Sequence, residues 1–266
     1  MKVITLNNQK GGVAKTTLAM HMAQYEAMHG QRVMIIDTDP QAHTTTRLGH
    51  QKKPGIYDLM VRDAEWNEVT QLVSPEQYMH PDQKEVTGTL YLLPSNIETR
   101  NIANSIDNIA TLHNRLNELR DENAVDLVII DTGPTPSLLN ASIYFATDGM
   151  IFPTTLTSMA FDGLIESVRH KMRMSVRREE VGKLPMIQFL GIAPTMYKSR
   201  TIEESDSYAE VVKAYGDKVL PTLNNRIIWE EAESRQCPIW QLNPHSKAMK
   251  EFTRLMGTLK GAITRA

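Results

Sequence analysis

Asn8-Gln9-Lys10-Gly11-Gly12-Val13-Ala14-Lys15-Thr16-Thr17 leaves a β-branched, strand-like run, Lys2-Val3-Ile4-Thr5-Leu6-Asn7, and enters a stretch of helical period reaching His29. A strand, a Gly-Gly turn and a helix start aim several backbone N–H groups at one point, where the helix dipole adds positive potential. Phosphate is the ligand that suits such a turn. Lys15 adds a mobile cation for β- and γ-phosphates, and the Thr16 hydroxyl stands where a Mg2+ ligand is needed. The ordinary phosphate-loop spacing G-x-x-x-x-G-K-[ST] fails, because Gln9 and Ala14 occupy its two glycine positions. If the backbone at Ala14 needs a positive φ, the methyl group costs ~1 kcal/mol or more. The bland alternative is a chance Gly-Gly turn before a lysine-bearing helix; its place at a strand-to-helix junction argues against that.

Outward from this turn, short apolar runs alternate with segments of helical period. That predicts an α/β fold: a single domain over residues 1–266, with a mainly parallel twisted sheet flanked by helices on both faces. Strands are expected at 2–7, 32–37, 89–93, 127–131, 149–153, 186–193 and, briefly, 219–222. Helices are expected at 15–29, 100–120, 137–146, 160–178, 203–215 and 247–264. In the first helix Leu18, Met22 and Tyr25 form one core-facing stripe. Residues 51–86, broken by Pro54-Gly55, Pro75 and Pro81, read as surface helices and loops.

Open parallel sheets bind ligands beyond the carboxyl ends of their strands. Two further strand ends carry carboxylates there. In Ile35-Ile36-Asp37-Thr38-Asp39-Pro40-Gln41, the aspartates at i and i+2 of an extended segment point the same way. Near a metal and a γ-phosphate such groups hold a metal-bound water or orient the attacking one. Asp39 could instead cap the turn that follows. Leu127-Val128-Ile129-Ile130-Asp131 is an apolar strand ending in a carboxylate, the Walker B arrangement, in which Asp131 would reach Mg2+ through water; a strand-end aspartate also serves as a helix cap.

Composition narrows the rest. Hydrophobic residues at 41% and charged residues at 23% exclude a disordered or fibrous chain. The formal net charge of −2 means that any nucleic-acid contact must come from a local basic patch. The single cysteine, Cys237, excludes an internal disulfide and any CxxC metal site, which fits a reducing cytosol. No leader and no apolar run of roughly 18–20 residues is present, so a cytoplasmic location is expected. The histidines show no metal-ligand spacing.

Lys10, Gly11, Gly12, Lys15, Thr16 and Thr17 match K-G-G-x-x-K-[ST]-T, and on them the chain resembles the deviant Walker group of ParA and MinD ATPases. The likeness continues through the D-x-D-P-Q of residues 37–41, Leu48-Gly49 with Gly55-Ile56-Tyr57-Asp58-Leu59, the run from Gly191 to Thr201, and Glu230-Glu231-Ala232 through Pro238-Ile239. It implies ATP and Mg2+ as cofactors and slow, partner-stimulated ATP hydrolysis. By resemblance, the nucleotide is held by Lys10, Gly11, Gly12, Val13, Ala14, Lys15, Thr16 and Thr17, with Met196 and Asn225 flanking the adenine. Lys10, Lys15 and Asp39 are the implied catalytic residues, Lys10 acting in trans across an ATP-dependent homodimer. Thr16, Asp37 and Asp131 are the implied magnesium set, the aspartates through water. Arg200 and Arg226 are the implied contacts to non-specific DNA.

The resemblance implies a ParA-like switch that positions plasmid, chromosome or other cargo with a ParB-like adaptor, of the short type without an N-terminal helix-turn-helix. The chain departs from the family pattern at Gly133, which replaces the first proline of a D-x-P-P turn. It departs again at Asn224-Asn225-Arg226, in place of I-P-R, and at Trp229, where a second DNA-binding arginine is typical. The segment bearing Arg169, His170, Lys171, Arg173, Arg177 and Arg178 could supply phosphate contacts instead, or simply be a solvated helix end. A MinD-like membrane role would draw on the last helix, whose Ala248, Phe252, Leu255, Met256, Leu259 and Ile263 form an apolar stripe. Sparse flanking Lys and Arg favour packing of that stripe on the sheet, and no membrane is expected as a partner. An iron–sulfur reductase is excluded by the lone cysteine, a tyrosine kinase by the lack of a Tyr-rich tail, and a metabolic synthetase is disfavoured by Lys10.

Overall fold

A run such as Val128-Ile129-Ile130 has no polar side to show to water, so it folds where both faces of a sheet are covered. Seven strands form that sheet in the computed structural model, which describes residues 1–135, 137–198 and 201–265. They are β1 (Lys2–Leu6), β2 (Arg32–Asp37), β3 (Gln71–Val73), β4 (Thr89–Leu93), β5 (Leu127–Asp131), β6 (Gly149–Thr154) and β7 (Gln188–Pro194). Their order is β3-β4-β2-β5-β1-β6-β7. Every neighbouring pair is parallel except β3 and β4.

Helices cover both faces: α1 (Lys15–Met28), α2 (His43–Arg47), α3 (Gly55–Val61), α4 (Trp66–Val69), α5 (Ile102–Ser105), α6 (Thr111–Asp121), α7 (Leu138–Ala146), α8 (Ser158–Gly182), α9 (Ile202–Tyr215), α10 (Ile227–Ser234), α11 (Ile239–Leu242) and α12 (Lys247–Arg265). Strand residues alternate between the two faces, and on β6 and β7 Met150, Phe152 and Ile192 add a third cluster with Leu164 of α8 and Val211 of α9. Ile4, Leu6, Ile35, Leu92 and Ile129 join α1, α11 and α12 on one face. Val3, Met34, Ile36, Leu93, Val128 and Ile130 join α3, α6 and α7 on the other. The apolar stripe of α12 is spent on the sheet, with Ala248, Phe252, Leu255 and Leu259 fully buried and Ile263 packed beside them. No helix among the described residues is long and apolar enough to cross a membrane.

Four sequence expectations are corrected. The first helix is buried more widely than one stripe: Ala19, His21, Ala23, Gln24 and Ala27 are buried as well as Leu18 and Met22, because α1 packs on β2, β4 and β5 with α11 and α12 alongside it on the same face. The helix expected over 100–120 is broken between α5 and α6. Asn108 turns the chain there, its Oδ1 accepting the Ala110 N–H at 2.8 Å and its carbonyl the Thr111 hydroxyl at 2.7 Å, a local bond that competes with the helix. The strand expected at 219–222 is a lone bridge from Val219 to Ile192, and Pro221 removes the donor that would extend it. Strand β3 is an addition to the expected set, since three residues with Leu72 exposed give no readable alternation.

The irregular stretch before β4 is nonetheless fastened. Gln24 Nε2 donates to the Gln77 carbonyl, Trp240 Nε1 to that of Tyr78, and Gln241 Nε2 to those of Glu76 and Met79.

Candidate functional site

The topology lays the three chemistry-bearing strand ends side by side, since β5 pairs with β1 and β2. Asp131 is the register partner of both Leu6 and Asp37. From β1 the chain turns through Gly12, at φ +72°, and Ala14, at φ +58° and ψ +28°, into α1. The left-handed geometry at Ala14 is therefore real, and its methyl group carries the strain expected of it. A β-carbon added at Gly11 or Gly12 would meet nothing within 4 Å, so the inside of the turn stands open. Asn8 braces the loop from below, donating to the Pro153 carbonyl at 2.8 Å and accepting the Lys10 N–H at 2.9 Å.

Lys15 is buried, with Nζ donating to the Lys10 carbonyl at 3.1 Å. Burial lowers its pKa, against the pull of Asp131 and Asp39 in the other direction. Lys10 lies along the start of α8, with Nζ 3.4 Å from Thr157 Oγ1.

The carboxylates occupy three distinct settings. Asp131 is fully buried, and its Oδ2 accepts the hydroxyls of Thr16 at 2.8 Å and Thr44 at 2.7 Å. Its Oδ1 is buried with no hydrogen-bond partner among the described residues. Burial raises the pKa of Asp131, and a buried carboxyl oxygen left open in this way calls for a cation or a bound water. Asp37 has both oxygens occupied, by the Asp39 N–H at 3.1 Å and by the Thr45 N–H and hydroxyl at 2.8 Å each. Burial, together with the neighbouring Asp131, pushes Asp37 up to about 7. Asp39 has left the strand, so the simple i, i+2 geometry does not hold. Its Oδ1 caps the turn through the Gln41 N–H at 2.8 Å, and a β-carbon at Gly133 would sit 3.6 Å from its Oδ2. A cavity of about 490 Å³ opens beside it, between Pro40, Arg100, Gly133 and α7. No three His, Cys, Asp or Glu side chains among the described residues converge to hold a metal by themselves, so any ion here would depend on hydroxyl and water ligands as well.

On the other side of the turn a cavity of about 110 Å³ is lined by Ala14, Thr17, Leu18, Met196, Asn225 and Trp229, among others. Met196 and Asn225, singled out from sequence, thus meet the phosphate loop. Met196 has a positive φ of 51°. Arg226 also lines this cavity, and it is held by Glu251 in a two-pronged pair at 2.5 and 3.2 Å. Arg200 lies outside the described residues. In the basic run of α8, Lys171 and Arg178 turn inward, Arg178 pairing with Asp148, while Arg169, Arg173 and Arg177 are exposed.

Sequence reasoning missed the hydroxyl layer of Thr44, Thr45 and Ser95, whose Oγ donates to the Asp39 carbonyl at 2.7 Å. The signal is legible in His43-Thr44-Thr45-Thr46, a hydroxyl cluster opening a helix directly after D-x-D-P-Q. It also missed His21 and Trp229 beside the base-side cavity.

Residues 1–179 match the AAA domain family. The chromosome-partitioning ATPase Soj of Thermus thermophilus is 31% identical over 265 residues, covering 99% of this chain and 97% of that protein. Cobyrinic acid a,c-diamide synthase from Mycobacterium smegmatis, solved with a bound ATP analog and magnesium, superposes with a TM-score of 0.70 at 26% identity, covering 88% of this chain and 93% of that one. Apo McdA from Cyanothece superposes with a TM-score of 0.79, covering 97% of this chain and 99% of that one; at 20% identity this likeness speaks for the fold alone. A chain alike to a partitioning ATPase from end to end, with an AAA domain match across its phosphate loop and both buried aspartates, belongs to the ParA/Soj family of P-loop ATPases.

Proposed function

We propose that this chain is a ParA-like positioning ATPase: ATP closes a homodimer that holds non-specific DNA, and a partner protein triggers hydrolysis and release. The observation that carries the nucleotide reading is the open, buried Oδ1 of Asp131 beside Thr16, at the foot of a left-handed phosphate turn. ATP and magnesium fit these residues. The N–H groups from Gly11 to Thr17 face the phosphates, and Lys15 places its charge among them. Thr16 and Asp131 hold the ion, Asp131 through water, while Asp37 orients the loop and the hydroxyl layer around it. When bound, magnesium offsets the negative charge that gathers on the phosphate oxygens. Asp39 Oδ2 accepts a hydrogen bond from the attacking water and so orients it. Gly133 leaves room for that water, and the cavity beside Asp39 gives a partner protein access to the same spot.

Lys10 swings from Thr157 to reach the nucleotide of the second subunit. DNA is held through phosphate contacts from Arg200 and from the exposed Arg169, Arg173 and Arg177. With Arg226 held by Glu251, its share in that contact is small. The test is a DNA-retention assay with ATP, with ADP and without nucleotide, across a salt series. Retention with ATP alone, lost steeply as salt rises, is expected. Equal retention in all three conditions, or none in any, would overturn the switch; capture on anionic vesicles in place of DNA would move the protein to the membrane-acting class.

A further inference from the structure

The base-side cavity contains one aromatic ring, Trp229, half-buried at the first turn of α10. Its neighbour His21 is buried and meets it edge to face, with ring centroids 5.0 Å apart and planes at 69°. His21 itself cannot swing. Its Nε2 accepts the backbone N–H of Ile239 at 3.2 Å, so the ring proton sits on Nδ1 and is donated to the Thr17 carbonyl at 2.8 Å. Burial keeps this imidazole neutral, with a pKa lowered to about 4. The brace therefore runs from the first turn of α1 through His21 to the indole.

The chain's other two tryptophans have their indole N–H groups satisfied. Trp66 donates to the Arg115 carbonyl and Trp240 to that of Tyr78, at 3.2 and 3.0 Å. Among the described residues the Trp229 indole N–H has no such partner and stays open to solvent or a ligand. A flat apolar face with an unused donor, in a cavity at the end of a phosphate loop, suits a nucleobase.

We propose that Trp229, braced by His21, is the aromatic wall against which the base of the nucleotide lies. This rests on the nucleotide reading above and adds to it a residue that the phosphate loop does not need. The discriminating probe is inorganic tripolyphosphate, which has the phosphates and no base. Affinities for ATP and tripolyphosphate are measured by titration calorimetry on the full chain and on Trp229→Ala and Trp229→Phe. Trp229→Ala is expected to weaken ATP at least about fivefold while tripolyphosphate changes less than about twofold; Trp229→Phe retains most of the ATP affinity. In fluorescence, ATP alters the emission of the wild type and not of Trp229→Phe, in which Trp66 and Trp240 remain. Unchanged ATP affinity in Trp229→Ala, or equal loss for both ligands, would overturn the assignment. A wild type that fails to bind ATP at all would overturn the nucleotide reading itself, and this inference with it.

Discussion

On the phosphate side of the cleft, one continuous segment from Asn8 to Thr17 sets the geometry, and buried hydroxyls hold two buried carboxylates in place behind it. On the base side, α1 meets a loop after β7, the residues around Asn225 and the first turn of α10, brought together by tertiary packing alone. The first half relies on backbone and charge, the second on shape and aromatic surface. Charge placed in a buried site is worth more than apolar contact, so the two halves should fail by different amounts and under different conditions.

Removing the charge gives the largest contrast. Lys15→Ala is expected to lower ATP affinity at least about a hundredfold, the scale of truncating one member of a buried charged contact. Near-wild-type binding in a calorimetric titration would mean that the base side dominates, and the comparison would be reversed. A middle-sized effect comes from the carboxylates, which the base side lacks at comparable depth. The folded pKa of Asp37, about 7, stands above its ordinary value of 3.8, so between those values the folded chain keeps a proton that the unfolded chain has released. Stability should therefore fall as pH rises from about 4 to about 7 and level off above. The melting temperature of the nucleotide-free chain in EDTA should drop by on the order of 10 °C over that window from Asp37, and Mg-ATP should flatten the slope. A curve that climbs with pH over the same range would show that the folded chain favours the ionised carboxylate of Asp37.

The smallest effect sharpens the same half. Glycine at position 14 removes a methyl group from a left-handed backbone, and Ala14→Gly should raise stability by about 1 kcal/mol, read as a melting shift of roughly 2–4 °C. A loss of stability would mean that the methyl packs well enough to outweigh its strain.

The same division separates what is legible in the sequence from what is not. The phosphate turn, Asp37 and Asp131 are legible because strand, turn and helix signals lie within a few residues of each, and chemistry follows from local order. Asp39 is legible as a carboxylate but not in its pose, since the chain bends after Asp37 and the alternation rule lapses there. Met196 and Asn225 can be singled out through family likeness alone, because no local pattern announces a cavity wall. The place of Trp229 in that wall is hidden for the same reason: its neighbours His21 and Phe252 are far away in sequence. The break near Asn108 is hidden because an asparagine that turns the chain and one that rides on a helix look alike without their hydrogen bonds.

The clasp of Gln24, Trp240 and Gln241 on the carbonyls of residues 76–79 ties the segment ahead of β4 to both ends of the chain. Peptide-bond cleavage in the exposed residues just beyond, around Lys84 and Glu85, would cut the polypeptide without parting it. Two fragments made to end and begin there should reassemble when mixed, which turns a proline-rich surface excursion into a natural seam for a split reporter.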